Sequence, residues 1–145
     1  MGTEMPSEIV TEVVHQSGMR FEGRSRSGRT VELDFAPPGG TPEGYTPLEL
    51  LLASLAACSG QVVAGLLKRM GQELAGFRVV ARGVKKDIHP AVLTSVALEF
   101  EFSGGRLEPA SVEKALALSE ERYCPVWAML KASVPIAAAY RLIAG

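Results

Sequence analysis

The alternation of apolar and polar positions predicts three short strands in the first quarter of the chain. We expect them at residues 9–15, 19–24 and 30–35, because turn-forming serines and glycines separate these runs. Short strands joined by tight turns are typical of an antiparallel meander. Residues 37–44 follow, and they are too rich in proline and glycine for regular structure.

A long helix comes next, and its start is the clearest local signal in the sequence. Thr46 and Glu49 form a capping box, in which each side chain can bond the backbone N–H of the other residue. Pro47 suits the first helical position because its missing N–H would have no helical partner there. The pattern predicts a helix that runs to Met70 and is terminated by Gly71.

This helix is apolar on nearly every face, since only Ser54 interrupts the run from Leu50 to Cys58. Such a helix must be covered on all sides. A membrane span is the competing interpretation, but polar and small residues at 59–61 break the run after about half of the ~20 residues a bilayer requires. One small sheet cannot cover the whole helix, so we expect a second copy to supply the rest in an intertwined homodimer.

The remaining sequence predicts two strands, two helices and a closing strand. The strands are expected at residues 77–85 and 92–102, and the second has the most regular period-two alternation in the chain. An amphipathic helix is expected at 109–123, another begins at Cys124, and a strand spans 134–142. This order indicates an α+β fold with antiparallel sheets around a long buried central helix, in a single domain over residues 1–145.

Composition narrows the functional classes. The 145 residues are 47% hydrophobic and carry a formal charge of −1 from 15 basic and 16 acidic side chains, which is typical of one globular domain and gives no reason to expect nucleic acid as a partner. The first eight residues lack the apolar stretch of a secretory signal, and Pro6 does not fit the N-myristoylation motif. We therefore expect a cytoplasmic protein that is not attached to a membrane.

The chain has only two cysteines, Cys58 within the long helix and Cys124 before Pro125. They form no Cys-x-x-Cys motif, and no further thiols or clustered histidines complete a metal site, so no metal or cofactor is expected. In a reducing compartment, two interpretations stay open: a thiol pair that cycles, or two inert buried thiols. As the predicted N-cap of the last helix, Cys124 is expected to favour the thiolate, whereas Cys58 needs a nearby cation to react.

Two sequence segments carry a resemblance to a known family. Residues 46–58, which end at Cys58, and Tyr123-Cys124-Pro125-Val126 resemble the paired cysteine motifs of the OsmC/Ohr family of thiol-dependent hydroperoxide reductases. The resemblance extends over nearly the whole chain. It implies a swapped dimer in which a first cysteine attacks the peroxide and a second closes a disulfide that a dithiol reductant reopens. Cys58 matches the attacking position and Cys124 the resolving one.

The sequence departs from the better characterised members of that family at the helix start. Those members carry a glutamate directly after the proline, whereas Leu48 occupies that position here and the carboxylate follows at Glu49. Glu49 is a candidate catalytic residue, with capping as the alternative. The family also uses an arginine before the second hairpin turn. That position points to Arg20, which could stabilise a Cys58 thiolate, with a solvated hairpin as the alternative.

The sequence therefore predicts a dimeric peroxidase that reduces organic hydroperoxides, and hydrogen peroxide as a possible second substrate, through Cys58 and Cys124. The alternative is a family member without catalytic activity, which binds a small apolar ligand and uses both cysteines for packing. The glutamate lies at Glu49, one residue later than in the better characterised members, and this difference favours the alternative. The retention of both cysteines favours the peroxidase.

Overall fold

A computed structural model describes residues 6–35, 37–38 and 41–143 of the chain. The first five residues, which belong to the N-terminal segment expected to lack a signal sequence, lie outside this range. Gly39 and Gly40, in the segment rich in proline and glycine, also lie outside it. The described chain contains six strands and three α-helices in an α+β order, as predicted. It divides into two compact units, Met1–Leu50 and Leu51–Gly145. The expectation of a single domain stays a prediction.

The first unit holds the predicted antiparallel meander. Its strands are β1 (Glu12–Ser17), β2 (Arg20–Arg24) and β3 (Thr30–Leu33), hydrogen-bonded in that order. Gly18 makes the first turn at a positive φ of 56°, a conformation that glycine adopts without steric cost. Among the described residues of this unit only Gly23 is buried. The sheet therefore has almost no hydrophobic core within its own chain.

Helix α1 spans Pro47–Arg69, close to the predicted bounds. The capping box at its start is confirmed: the Thr46 N–H donates to Glu49 Oε1 at 2.9 Å, and the Glu49 N–H donates to Thr46 Oγ1 at 3.3 Å. Gly71 follows the helix at a positive φ of 71°, the left-handed conformation that ends many helices. Local capping chemistry thus sets both ends of α1.

One face of α1 is buried within the single chain. The buried positions are Leu55, Ser59, Gly60, Val63 and Leu67, and the other faces are partly or fully exposed. This agrees with the expectation that one chain cannot cover the whole helix, and the expected cover by a second copy stays a prediction. Helix α1 is also long and apolar enough to cross a membrane, but the core helices of soluble proteins often meet the same two criteria. The expected absence of a membrane partner stays a prediction.

The second unit contains a sheet of β4 (Gly76–Lys85), β5 (Leu93–Ser103) and β6 (Ile136–Ile143), in that order. Strands β4 and β5 are antiparallel, as expected, but β6 pairs parallel to β5. The prediction of purely antiparallel sheets is wrong here, because the helices between β5 and β6 return the chain to the end of the sheet where β5 begins. The alternation of β5 is confirmed, since Val96, Leu98, Phe100 and Phe102 are all buried.

The connection from β5 to β6 is helical throughout but not uniform. Helix α2 (Pro109–Leu118) continues into a π-helical turn, Ser119–Tyr123, and α3 (Pro125–Leu130) follows. The sequence predicts one uninterrupted helix over 109–123, so its last five residues are in a wider conformation than expected. Such π-helical turns are frequent at functional sites. This turn ends at Cys124.

Candidate active site

The two cysteines lie on different helical elements of the second unit. Cys58 is in the middle of α1, and Cys124 is the N-cap residue of α3. Both are free thiols. Cys124 is buried with 1% of its surface exposed, while Cys58 is half-buried and packs against the same hydrophobic core. The fold therefore draws both cysteines into one core, although they are far apart in the sequence.

The two cysteine side chains share one hydrophobic core. Cys58 packs against the buried cluster that contains Cys124, and the Cys58 side chain contributes to the raised pKa of Cys124. A disulfide requires sulfur atoms that can approach each other with little backbone movement. Packing in one core brings the two thiols near each other, as such a bond requires.

The ionisation of Cys124 differs from the sequence-based expectation. Burial, with added contributions from the hydrogen bond and charge of Cys58, raises the pKa of Cys124 to about 11. The N-cap geometry is present, since the Trp127 N–H donates to Cys124 Sγ at 3.4 Å and lowers the pKa. The effect of burial on the pKa is larger than the effect of this hydrogen bond, so the prediction that Cys124 favours the thiolate is wrong. At neutral pH Cys124 keeps its proton.

The surroundings of Cys124 are mostly apolar. Trp127, which donates the backbone hydrogen bond, is itself buried with 1% exposure and belongs to the core. Met129, on the same helix, is 66% exposed, because α3 is only six residues long and buries a single face against the core.

A cavity lies along α1 beyond Cys58. It has a volume of about 290 Å³, and its lining combines Val62, Leu66 and Tyr123 with the more polar Gln61 and Arg69. Val62 lies one helical turn after Cys58, and Tyr123 directly precedes Cys124. The cavity therefore adjoins the segments that carry the two thiols.

Sequence reasoning missed a polar contact close to the thiols. The hydroxyl groups of Ser59 and Ser119 are 2.9 Å apart and fully buried. The sequence places Ser119 on the inward face of its helix, and a buried hydroxyl requires a hydrogen-bonding partner. That requirement was the available signal, but the sequence does not show which residue is the partner.

Arg20 lies at the start of β2, in the first unit. Its guanidinium group contacts Glu43 at 3.3 Å and Glu32 at 3.5 Å. Its Nε atom is the only buried side-chain nitrogen or oxygen without a hydrogen-bonding partner among the described residues. The other arginines of this hairpin are exposed, as expected: Arg24, Arg26 and Arg29. Arg20 and Cys58 belong to different units, so a role for Arg20 at the thiol stays a prediction.

Glu49 is exposed at the start of α1 and is engaged in the capping box. Its hydrogen bonds with Thr46, the backbone N–H first, hold the pKa of the Glu49 carboxyl below its usual range. It also lines an open cavity of about 460 Å³ in the first unit, together with Val31, Glu32, Gly44 and Tyr45. Helix capping explains its position fully, and a catalytic role stays a prediction.

No metal site is found in the part of the chain that the structure describes. Within residues 6–35, 37–38 and 41–143, no group of three or more histidine, cysteine, aspartate or glutamate residues could hold a metal ion.

Comparisons with known proteins agree with this fold. Residues 40–139 match the family of OsmC-like proteins. The chain is 30% identical over 127 residues to protein YhfA of Escherichia coli, an alignment that covers 88% of this chain and 92% of YhfA. A hypothetical protein from Aquifex aeolicus has a similar structure, with a TM-score of 0.86 and 26% identity over 97% of this chain and 99% of that chain.

An organic hydroperoxide resistance protein from Legionella pneumophila has the same fold. Its TM-score is 0.69 at 18% identity, over 94% of this chain and 98% of that one. The family match spans both cysteine segments, most of the second unit and the end of the first. The chain therefore belongs to the OsmC-like protein family.

Proposed function

We propose that this chain is a thiol-dependent peroxidase that reduces organic hydroperoxides through Cys58 and Cys124. The observation that carries the proposal is the packing of these two free thiols in one hydrophobic core, close enough for Cys58 to contribute to the pKa of Cys124. Solved relatives that are described as organic hydroperoxide resistance proteins add support from their names and fold. Hydrogen peroxide is a second candidate substrate.

In the first step, the Cys58 thiolate attacks the terminal oxygen of the hydroperoxide. The O–O bond breaks, the alkoxide leaves and takes up a proton to become an alcohol, and Cys58 becomes a sulfenic acid. A thiolate among apolar side chains requires a cation, and the proposal assigns that role to Arg20. Its buried Nε without a partner leaves one donor available for this role.

In the second step, the sulfur of Cys124 attacks the sulfenic sulfur of Cys58. A disulfide forms, and the hydroxyl group leaves as water with the proton that Cys124 gives up. The raised pKa of Cys124 supports its assignment as the resolving residue, because it remains a protonated thiol until Cys58 has reacted. A dithiol reductant then reduces the disulfide through thiol exchange, which is consistent with a cytoplasmic location.

The proposal includes a homodimer. Helix α1 exposes apolar surface at Leu51, Ala57 and Gly65, and in the first unit Phe35 and Tyr45 are 59% and 46% exposed. Exposed apolar surface of this extent is typical of a protein–protein interface. A second copy of the chain is the simplest source of that cover.

A second candidate function follows from the burial of Cys124. A thiol with 1% exposure and a raised pKa is a good packing residue, and the cavity next to Val62, Leu66 and Tyr123 could hold a small apolar ligand. In that case the protein binds an apolar molecule without chemistry. Neither function requires nucleic acid, a metal or an organic cofactor.

Single-cysteine variants distinguish the two functions. With cumene hydroperoxide as substrate and dithiothreitol as reductant, we expect Cys58→Ser to abolish turnover. Without added reductant, Cys124→Ser should consume about one equivalent of peroxide and then stop at the Cys58 sulfenic acid, whereas the wild type should stop at the disulfide, because attack needs one thiol and disulfide formation needs both. The binding function predicts no peroxide consumption by either variant or by the wild type.

A further inference from the structure

Ser59 and Ser119 form a polar contact in an otherwise apolar core. Their hydroxyl oxygens are 2.9 Å apart, and neither side chain has any exposed surface. They are the only buried polar residues in the ranges that the structure describes. Burying two hydroxyl groups is unfavourable unless they bond each other, so apolar residues would fill these positions more simply.

Each serine of this pair is tied to one of the two cysteines. Ser59 directly follows Cys58 on α1. The backbone carbonyl of Ser119 accepts the N–H of Cys124 at 3.0 Å. A continuous path of one hydroxyl contact and one backbone hydrogen bond therefore links the backbone of Cys58 to that of Cys124.

The π-helical turn makes the second link of this path possible. In a regular α-helix the carbonyl of Ser119 would accept the N–H of Tyr123, four residues on. The wider turn over Ser119–Tyr123 moves that hydrogen bond one residue further, to Cys124. The start of this turn is anchored to α1 by the Ser59 hydroxyl, so the anchor and the position of Cys124 are coupled.

We propose that Ser59 and Ser119 are positioning residues that hold the Cys58 and Cys124 thiols in the arrangement from which their disulfide closes. This inference rests on the disulfide chemistry of the proposed function and names two residues that set how readily that bond forms. Neither serine touches a substrate. Both act through the backbone of the cysteine beside them.

The test measures the equilibrium between the dithiol protein and its disulfide in glutathione buffers. Glutathione disulfide takes two electrons and two protons from Cys58 and Cys124, which gives one protein disulfide and two glutathione molecules. We expect Ser59→Ala and Ser119→Ala each to lower this equilibrium constant at least tenfold. That change corresponds to a reduction potential about 30 mV higher. Unchanged constants in both variants would overturn the proposal.

The double variant Ser59→Ala/Ser119→Ala separates positioning from simple stability. Each single substitution leaves one buried hydroxyl without its partner, whereas the double variant leaves none, so its melting temperature should return toward that of the wild type. If the serines position the thiols, the equilibrium constant stays at least tenfold low in the double variant. Recovery of the constant together with the melting temperature would show that the pair is only structural.

Ser111→Ala provides the matched control, since Ser111 lies on α2 about two turns before Ser119. It should leave the constant within twofold of the wild type, and an equal loss there would overturn the specific role of the pair. Failure of the wild type to form the disulfide in glutathione would also overturn this inference. A wild type that forms the disulfide but does not react with cumene hydroperoxide would instead contradict the proposed peroxidase function.

Discussion

Cys58 and Cys124 pack in one hydrophobic core, where burial, with a further contribution from the Cys58 side chain, raises the pKa of Cys124 to about 11. The cysteine at the helix N-cap is thus the one that holds its proton. Because burial exceeds the effect of the Trp127 N–H donor, local helix geometry alone gives the wrong ionisation state. A protonated Cys124 agrees with the proposed order of events, in which Cys58 attacks the peroxide and Cys124 resolves the sulfenic acid.

The raised pKa of Cys124 predicts a loss of stability at alkaline pH. The unfolded thiol ionises near its ordinary pKa of 9.0 while the folded thiol stays protonated to about 11, so the unfolded state binds fewer protons between these values. The contribution of Cys124 is fully present below pH 9.0 and is lost as the pH rises toward 11. We expect a decrease of roughly 2–3 kcal/mol in the free energy of unfolding.

Urea titrations of the reduced protein at pH 8 and pH 10.5 measure this decrease. Cys124→Ala is the control, because this variant keeps every other group of the wild type that titrates at alkaline pH. A wild type that loses no more stability than this variant over the same range would show that Cys124 has an ordinary pKa.

The helix start allows the structural and catalytic roles of Glu49 to be separated. Glu49→Gln can retain the hydrogen bond from the Thr46 N–H, so we expect little change in melting temperature or rate. Glu49→Ala removes the acceptor of that hydrogen bond and should lower the melting temperature by about 2–4 °C. Thermal melts and stopped-flow rates with cumene hydroperoxide provide both readouts. A hundredfold slower reaction of Glu49→Gln with an unchanged melt would show that Glu49 acts at the thiol.

Capping and alternation were the parts of the fold that the sequence could specify. Thr46, Glu49 and Gly71 determine the ends of α1 through contacts with their own neighbours, and β5 shows its buried face in its alternation. The parallel pairing of β6 was not predictable from such signals, because alternation is the same for either strand direction. Likewise, composition shows that α1 is apolar but not which face its own chain covers.

The candidate site was predictable in its residues more than in its chemistry. The cysteine motifs singled out Cys58 and Cys124 from the sequence alone. The Ser59 contact with Ser119 and the π-helical turn depend on how α1 packs against the segment before Cys124. The pKa of Cys124 depends on burial, which is likewise a tertiary property.

Arg20 should affect the first chemical step more than its neighbours in the same hairpin. We expect Arg20→Met to slow sulfenic acid formation at least tenfold, because the Cys58 thiolate would lose its proposed cation. Arg24→Met is the matched control, since Arg24 is exposed and paired with Glu22 at 2.7 Å, and it should change the rate less than twofold. Stopped-flow measurements with cumene hydroperoxide decide between them, and equal effects would remove Arg20 from the mechanism.

The exposed apolar surface of α1 predicts a dimer that does not dissociate before it unfolds. Sedimentation velocity at decreasing protein concentration, followed by circular dichroism at the lowest concentration, measures the association state and the fold together. We expect a folded dimer down to submicromolar concentration. A folded monomer there would mean that Leu51, Ala57 and Gly65 remain exposed in solution.

The most direct test of the central claim is to map the disulfides after reaction with one equivalent of cumene hydroperoxide. The reduced protein is treated with the peroxide, the remaining thiols are alkylated, and the peptides are separated without reductant and identified by mass spectrometry. We expect one intrachain disulfide between Cys58 and Cys124 in each chain. Two alkylated thiols, or a Cys58 oxidised to sulfinic acid beside an untouched Cys124, would contradict it.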